Sequence, residues 1–212
     1  MKDNQVKKKQ PHYFSEKQTS PAKFGYLEIR NLRGRDLKLL TCSGIFNYKK
    51  IDRGTWALIE NMKLKGEKIL DYGCGIGIIG IMYKILVPNA KVVLLDSNSR
   101  AVMVAKKNIK LLKLTNIKAV RSTFLEKLKK EKFDNILTAP PISAGMNTCE
   151  RIFRESYEAL KEKGLFQFVT RHKIAGRRLM AFAESLFNNC EVLAKKGGYW
   201  VYCCTKNKPL SP

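Results

Sequence analysis

The chain lacks any long apolar stretch. No run of apolar residues approaches the roughly 20 residues that a membrane-spanning helix needs. The lysine-rich N-terminus is also not followed by the apolar segment of a secretion signal. These absences predict a soluble, cytoplasmic protein that does not bind a membrane.

Paired metal-binding cysteines are missing as well. The sequence contains six cysteines but no C-x-x-C pair, and it has only two histidines. Zinc sites and redox motifs usually show such spacing, so we expect no bound metal. Since no secretion signal is evident, free thiols are the expected state of the cysteines.

Acidic residues are scarce relative to basic ones. The chain has 18 Asp and Glu against 41 Lys and Arg, which gives a formal net charge of +23. Such an excess favours a polyanionic partner, which would be bound without sequence specificity by charge alone. A generally lysine-rich, solvated surface is the alternative interpretation.

Glycine is concentrated in one short stretch. Residues 69–80 read Ile-Leu-Asp-Tyr-Gly-Cys-Gly-Ile-Gly-Ile-Ile-Gly. The pattern predicts a buried strand, a tight turn that tolerates positive φ, and the first turn of a helix. The free N–H groups and the positive dipole at such a helix start can bind a ligand, although a turn with no ligand remains an alternative.

Two kinds of cofactor fit this stretch. Gly75, Gly77 and Gly80 match a dinucleotide-binding fingerprint, and Asp96 lies about 20 residues further on, where a ribose-binding acid is expected. Asp71 at the strand end instead gives Asp-x-Gly-x-Gly-x-Gly. That pattern resembles the first motif of class I methyltransferases that use S-adenosylmethionine (SAM). A carboxylate at that place would repel a pyrophosphate, so SAM is favoured.

The remaining pattern predicts one α/β domain behind a β-hairpin. The hairpin spans residues 25–40, and a helix at 52–62 follows it. Strands and helices then alternate, which indicates a doubly wound sheet with ligands at the carboxyl ends of its strands. The predicted strands are 68–71, 91–96, 117–121, 133–138, 165–170, 190–194 and 199–204, and the helices between them are 78–86, 98–112, 148–161 and 174–187.

Further short motifs occur in order along the chain. They are His-Tyr-Phe-Ser-Glu-Lys at 12–17, Leu-Arg-Gly at 32–34, Ser-Gly-Ile-Phe at 43–46, Lys-Ile-Asp-Arg-Gly-Thr at 50–55, Asp96 with Asn98 and Ala101, Pro140-Pro141, and Lys-Gly-Gly-Tyr at 196–199. Together with the glycine turn they resemble the methyltransferase-small (MTS) family, which includes ribosomal small-subunit guanine-N2 methyltransferases. The resemblance covers nearly everything after about residue 11.

The resemblance implies a fold and a reaction. The fold would be the class I methyltransferase fold, a Rossmann-like, mostly parallel, seven-stranded sheet with an antiparallel last strand. The reaction would be methyl transfer from SAM to the exocyclic N2 of guanine in RNA, with ribosomal RNA as the first substrate to test. The chain would comprise a disordered basic tail (1–11), the hairpin extension (12–50), the methyltransferase domain (51–206) and a loose tail (207–212), as a monomer or weak homo-oligomer.

The resemblance also implies a cofactor site. Gly73, Gly75 and Gly77 would shape the turn beneath SAM. Asp71 would serve the amino group of SAM, and Asp96 would accept hydrogen bonds from both ribose hydroxyls. The other cofactor-binding residues implied are Ser97, Thr123, Phe124, Phe46, Asp52, Gly54 and Thr55.

Several of these residues have ordinary structural roles as alternatives. Phe46 could simply pack in the core, and Asp52 could cap the helix that begins after it. Thr123 departs from the family pattern, because the family usually has an acid there to read the adenine amino group.

A second departure affects the implied catalytic residues, which are Ala139, Pro140 and Pro141. The family normally has Asn-Pro-Pro or Asp-Pro-Pro in this loop. The amine of the base would then be oriented only by the carbonyls of Ala139 or Pro140 and by the Thr138 hydroxyl. By analogy with loss of one preorganised hydrogen-bond donor, the change would cost about 10²–10³-fold in rate.

Basic residues are expected around the rim of the cleft, where they would contact RNA. The candidates are Lys127, Lys129, Lys130, Lys132, Arg171, Lys173, Arg177 and Arg178. His172 follows the fifth strand and is the one candidate for acid–base work, although a polar rim residue is the favoured interpretation. A target base within folded RNA would have to be unpaired or flipped out.

Two other functions remain open. The change at Ala139 and the unusual Thr123 also fit a protein that binds SAM or RNA but has lost turnover, such as a ribosome assembly factor. A methyltransferase that acts on a substrate other than RNA is the third possibility.

Overall fold

The computed structural model describes residues 21–46 and 48–207. The basic tail, the motif at 12–17 and nearly all of the loose C-terminal tail lie outside these residues. The strands are β1 (Phe24–Leu32), β2 (Arg35–Cys42), β3 (Lys68–Tyr72), β4 (Lys91–Asp96), β5 (Ile117–Arg121), β6 (Phe133–Thr138), β7 (Leu160–Arg171), β8 (Glu191–Lys196) and β9 (Tyr199–Thr205). The helices are α1 (Arg53–Asn61), α2 (Ile78–Leu86), α3 (Ser99–Leu111), α4 (Met146–Ala159) and α5 (Arg177–Phe187).

Seven strands form one mixed sheet in the order β5-β4-β3-β6-β7-β9-β8. The first five of these neighbours pair in parallel, whereas β9 is antiparallel to both β7 and β8. The predicted architecture, with its inserted antiparallel last strand, is confirmed. The N-terminal hairpin of β1 and β2 is a separate two-stranded sheet.

Successive residues of the central strands enter opposite cores because side chains alternate along a strand. Ile69 and Leu94 join the core that β1, β2 and helices α1 to α3 cover. Leu70 and Val93 join the core that α4 and α5 cover. Covering both faces explains why these strands are apolar throughout, as parallel sheets require. No helix in the described ranges is long and apolar enough to cross a bilayer.

Helix α4 ends earlier than predicted. The sequence suggested a helix to residue 161 with a stop at Gly164, but the helix ends at Ala159 and β7 begins with Leu160. Leu160 is extended, at φ −72° and ψ 142°, and it is buried opposite Phe133 of β6. Burial of this leucine beside the sheet therefore ends the helix before the glycine is reached.

The segment before α5 also differs from a simple helix. A single π-helical turn, His172–Gly176, leads from β7 into α5. A Cβ at Gly176 would lie 3.0 Å from the Tyr202 hydroxyl, so this turn packs closely against β9. The prediction of a helix through residue 187 is otherwise confirmed.

The hairpin is held against the domain by a buried asparagine on α3. The Asn108 side chain accepts a hydrogen bond from the Leu40 N–H (2.7 Å) and donates to the Leu40 carbonyl (3.0 Å). The same amide also donates to the carbonyl of Ile76 in the glycine turn, at 3.0 Å. Asn108 thus joins the hairpin edge, the long helix and the glycine turn at a fully buried point.

Replacing Asn108 with Ala should destabilise the protein by about 3 kcal/mol. The change would leave the buried carbonyl of Ile76 and the partly buried backbone groups of Leu40 without the Asn108 partner, and a buried unsatisfied group typically costs about 1–3 kcal/mol. Urea denaturation would measure the loss, and hydrogen exchange would show faster exchange of the Leu40 amide. Lys106→Ala, on the exposed side of the same helix, should change stability by less than about 0.5 kcal/mol. Equal losses in the two variants would contradict this role of Asn108.

Candidate active site

A cavity of about 790 Å³ opens at the carboxyl ends of β3, β4, β6 and β7. All of the cofactor-binding and catalytic residues assigned from the family resemblance line it except Asp71 and Gly77. The predicted residues that line the cavity are Phe46, Asp52, Gly54, Thr55, Gly73, Gly75, Asp96, Ser97, Thr123, Phe124, Ala139, Pro140 and Pro141. The fold therefore brings residues from distant parts of the sequence together around one cavity.

The glycine turn presents its backbone to this cavity. Gly73 and Gly75 have φ of +77° and +55°, a region that strains residues with a Cβ. A Cβ built on either glycine would meet nothing within 4 Å. The turn is anchored from below, because the N–H groups of Gly73 and Cys74 donate to the Leu95 carbonyl at 2.8 and 2.9 Å. Both glycines therefore leave open space where a ligand can approach the backbone.

Gly77 and Gly80 instead allow close packing against the Leu94 side chain. A Cβ on Gly77 would lie 2.8 Å from the Leu94 side chain, and one on Gly80 would lie 2.2 Å from it. These glycines allow α2 to rest directly on β4. Gly77 shapes the turn through this packing and is not part of the cavity lining.

Asp71 is fully buried beneath the turn, at the end of β3. Its Oδ2 accepts the Gly80 N–H at 2.8 Å, whereas Oδ1 has no hydrogen-bond partner among the described residues. Burial raises the pKa of this carboxyl to about 7, and the nearby charge of Asp96 adds to the rise. A positive group held close to Asp71 would favour its ionised form.

Asp96 ends β4 on the wall of the cavity. Its two carboxylate oxygens accept the N–H of Gly75 and the N–H of Asn98, each at 2.8 Å. Burial raises the pKa of Asp96, and these backbone donors oppose the rise. Each oxygen keeps capacity for a further hydrogen bond, so the carboxylate can still accept from a ligand.

Asp52 caps helix α1, which is the alternative role that the sequence suggested for it. Its side chain accepts the N–H groups of Gly54 (2.9 Å) and Thr55 (3.0 Å), and the Thr55 hydroxyl also donates to it. A Cβ on Gly54 would lie 2.8 Å from the ring of Tyr199, which lines the same side of the cavity. Capping and close packing therefore fix this wall, and Phe46 lies half exposed beside it.

The loop after β6 forms the facing wall. Pro141 adopts φ −77° and ψ 77°, an inverse γ-turn in which the Ile142 N–H donates to the Pro140 carbonyl at 2.9 Å. The predicted use of the Thr138 hydroxyl is wrong. Thr138 is fully buried and donates to the Tyr72 carbonyl at 2.8 Å, so it joins β6 to β3 instead of facing the cavity.

The sequence analysis did not predict the side-chain contacts that hold Phe124 in place. The Arg151 guanidinium carbon lies 3.4 Å from the centre of the Phe124 ring. Arg151 in turn donates to Glu155 at 3.0 Å, and Glu155 accepts the hydroxyl of Tyr72 and the N–H of Leu125 at 2.8 and 2.9 Å. Burial and the neighbouring Glu155 raise the pKa of Tyr72. Arg151 and Glu155 lie four residues apart on one helix, and this spacing could have predicted their ion pair from the sequence.

The predicted basic rim is only partly correct. Of the eight predicted cations, only Arg171 lines the cavity. Lys132 donates to the carbonyl of Glu158, in the last turn of α4, which is at the opposite end of the sheet. Lys129, Lys130 and Lys132 precede β6, so they lie toward the amino ends of the strands. His172 also lies outside the lining, stacked on Trp200 and hydrogen-bonded to the Tyr202 hydroxyl.

Among the described residues, no three His, Cys, Asp or Glu side chains converge in an arrangement that could hold a metal ion. All six cysteines are free thiols, and Cys74 is buried within the glycine turn, where burial raises the pKa of its thiol. The polar residues that line the cavity include the carboxylates Asp52 and Asp96 and the cations Lys50 and Arg171.

Asp71→Asn should alter the pH dependence of stability. The asparagine can still accept the Gly80 N–H but cannot titrate. Because the folded-state pKa is raised from 3.8 to about 7, the folded wild type binds more protons than the unfolded chain in this range. Its stability relative to the variant should therefore fall by a few kcal/mol as pH rises from about 4 to about 7.

Chemical denaturation at several pH values would measure this difference. Asp36→Asn is a suitable control, because hydrogen bonds from the hairpin lower the pKa of Asp36 and its effect should have the opposite sign. If the stability curves of wild type and Asp71→Asn run parallel across this range, the buried carboxyl is not perturbed as described.

Comparison with known proteins identifies the family to which the chain belongs. The family model for the methyltransferase small domain matches residues 36–203. The chain is 32% identical over 194 residues to the uncharacterized protein YbxB of Bacillus subtilis, a match that covers 90% of this chain and 96% of that protein. It is 33% identical over 172 residues to ribosomal RNA small subunit methyltransferase C of Haemophilus influenzae, covering 79% of this chain and 51% of that protein.

Among solved structures, the fold resembles that of the Thermus thermophilus 16S rRNA N2 G1207 methyltransferase in complex with AdoMet and guanosine. The TM-score is 0.79 at 21% identity, and the match covers 90% of this chain and 53% of that one. The chain thus spans about half the length of the methyltransferase C relatives. The resemblance indicated by the sequence motifs is confirmed, and the chain belongs to the methyltransferase small domain family.

Proposed function

We propose that this protein is a SAM-dependent methyltransferase that modifies the exocyclic N2 of a guanine in RNA, with small-subunit ribosomal RNA as the first substrate to test. The observation that carries the proposal is the cavity at the carboxyl ends of the strands. An open glycine turn, with Asp96 on the wall and Asp71 buried beneath the turn, faces the double-proline loop there. The relatives that act on ribosomal RNA supply the substrate class.

The residues present suit SAM. A volume of about 790 Å³ falls within the usual range of roughly 300–1,000 Å³ for small-molecule sites. The exposed backbone of Gly73 and Gly75 allows close approach, and behind the turn one buried oxygen of Asp71 has no partner in the ranges that the structure describes. When bound, SAM supplies an electrophilic methyl carbon on a positively charged sulfur.

Each wall of the cavity would hold one part of the cofactor. Asp96 would accept the ribose hydroxyls, and Asp71 would favour the positively charged methionine end. Phe124, fixed in place by Arg151, would lie along the adenine. The remaining residues assigned to the cofactor are Phe46, Asp52, Gly54, Thr55, Ser97 and Thr123, while Gly77 shapes the turn from outside the cavity lining.

The loop at Ala139, Pro140 and Pro141 would orient the attacking amine. The lone pair of an exocyclic base amine is delocalised into the ring, so carbonyl acceptors aimed at its N–H groups help to localise the lone pair and set the line of attack. The carbonyls of Ala139 and Pro140 would take this role. Ile142 would provide an apolar wall that excludes water from the reacting groups.

Incubation of the protein with labelled SAM and small-subunit RNA, free and assembled with ribosomal proteins, tests this function. We expect label in N2-methylguanosine after digestion to nucleosides, because the cavity joins a cofactor site to an amine-orienting loop. Mass spectrometry of the nucleosides would identify the product. Absence of label in every assembly state, with labelling of a protein or small molecule instead, would contradict the assignment of RNA as substrate.

Ala139→Asn should raise kcat by up to about 10²-fold, because it restores a side-chain acceptor beside the double proline. Single-turnover methylation kinetics would measure the change. Ala139→Val is the matched control, since it adds similar bulk without an acceptor, and it should leave kcat equal or lower. Equal effects of Asn and Val would contradict the proposed role of this position.

The same variant addresses a second candidate function. The absence of a side-chain acceptor at Ala139 also favours a protein that binds SAM and RNA without turnover. If wild type is inactive and Ala139→Asn gains activity, that function is the better one. Robust wild-type activity excludes it.

A further inference from the structure

A group of cations and aromatic rings lies beside the cavity, where β7, the π-helical turn and the β8–β9 hairpin meet. We call this surface the basic corner. Its members are Arg171, His172, Lys173, Arg177, Lys195, Lys196, Tyr199 and Trp200.

Backbone pairing holds the parts of the basic corner in register. Arg171 and Lys196 both pair with Tyr199, and Lys195 pairs with Trp200. The His172 N–H donates to the Gly198 carbonyl at 3.1 Å, which ties the π-helical turn to the hairpin. The corner is therefore anchored to the ends of β7, β8 and β9, and it wraps around both faces of the sheet there.

Rings and cations are paired on both faces of the sheet here, because the adjacent residues Tyr199 and Trp200 pack toward opposite cores. The Arg171 guanidinium lies 5.2 Å from the Tyr199 ring centre, and the Lys195 ammonium lies 4.2 Å from that of Trp200. His172 stacks on Trp200 with ring centres 3.5 Å apart and planes 9° apart. Surfaces of this composition bind single-stranded nucleic acid, where ammonium groups contact phosphates and rings contact bases.

The positive charge of the corner is not compensated within the described part of the chain. None of its five Arg and Lys side chains has a carboxylate within 4.0 Å there, whereas the adjacent Arg178 pairs with Glu150 at 2.8 Å. Partial burial and the charges of Arg177 and Lys195 lower the pKa of His172. Mutual repulsion of this kind destabilises the free protein and would be relieved by a bound polyanion.

The corner is continuous with the cavity. Arg171 and Tyr199 belong to both, and Ile174 of the π-helical turn lines the cavity mouth with 68% of its surface exposed. An RNA strand whose target base entered the cavity would therefore cross this surface on leaving it. An acidic protein would use the charges but has no need of the stacked rings, so RNA is the better match.

We propose that the basic corner binds the phosphodiester backbone of the RNA that flanks the target nucleotide. The inference rests on the proposed function, since it assumes that RNA enters the cavity. It assigns to Lys173, Arg177, Lys195 and Lys196 a role in RNA binding that is separate from cofactor binding and from orientation of the amine.

The test compares two double variants of equal charge change, Lys195→Gln with Lys196→Gln and Lys129→Gln with Lys130→Gln. Both would be assayed as the full-length protein. The corner variant should raise KM for RNA at least about fivefold and reduce the slope of log affinity against log salt by about 0.7 per lost phosphate contact. Its kcat at saturating RNA and its SAM affinity should be unchanged, and the control should match wild type.

The outcomes separate this inference from the proposed function. Equal KM values for the corner variant and wild type on an RNA that wild type methylates would overturn the inference alone. Equal increases in both double variants would also overturn it, because only general charge would then matter. A wild type that neither binds nor methylates RNA would overturn the proposed function itself. Circular dichroism would verify that both variants fold.

Discussion

The candidate site is arranged around one carboxyl group, that of Asp71, which is buried away from water. Asp71 lies one residue before the end of a central strand and is removed from water, and within the described residues only one of its oxygens accepts a hydrogen bond. An unpaired buried polar atom is costly, and burial here holds the pKa near neutrality. The glycines above Asp71 keep the backbone open, so a positively charged ligand can approach a site whose electrostatics already favour it.

The surrounding structure holds this site in shape through polar contacts that cross between elements. Asn98 donates to the Gly44 carbonyl at 2.9 Å, and Arg100 donates to the Ser43 carbonyl at 2.8 Å. Both residues begin α3, directly after Asp96. With Asn108 further along, the helix fixes the N-terminal hairpin next to the glycine turn, so the hairpin forms part of the cavity wall through Leu27.

Local signals predicted most of the fold because strand and helix periodicity followed burial closely. Strands β4, β5 and β6 and helix α2 have the predicted bounds. The end of α4 was not predictable, since it depends on Leu160 meeting Phe133 across the sheet. For the same reason the burial of Thr138, the position of Lys132 and the contact of Arg151 with Phe124 were missed: each depends on a partner distant in sequence. The glycine, aspartate and proline motifs could be placed at one cavity from the sequence, because the turns that carry them are local.

Calorimetric titration of the wild-type protein with SAM near pH 6.5 tests the central claim most directly. The account predicts saturable binding of one SAM per chain, with release of a proton to the buffer as the cationic ligand favours the ionised form of Asp71. Buffers of different ionisation enthalpy would reveal that proton. Absence of saturable heat would contradict the claim that the glycine turn and its carboxylates form a SAM site.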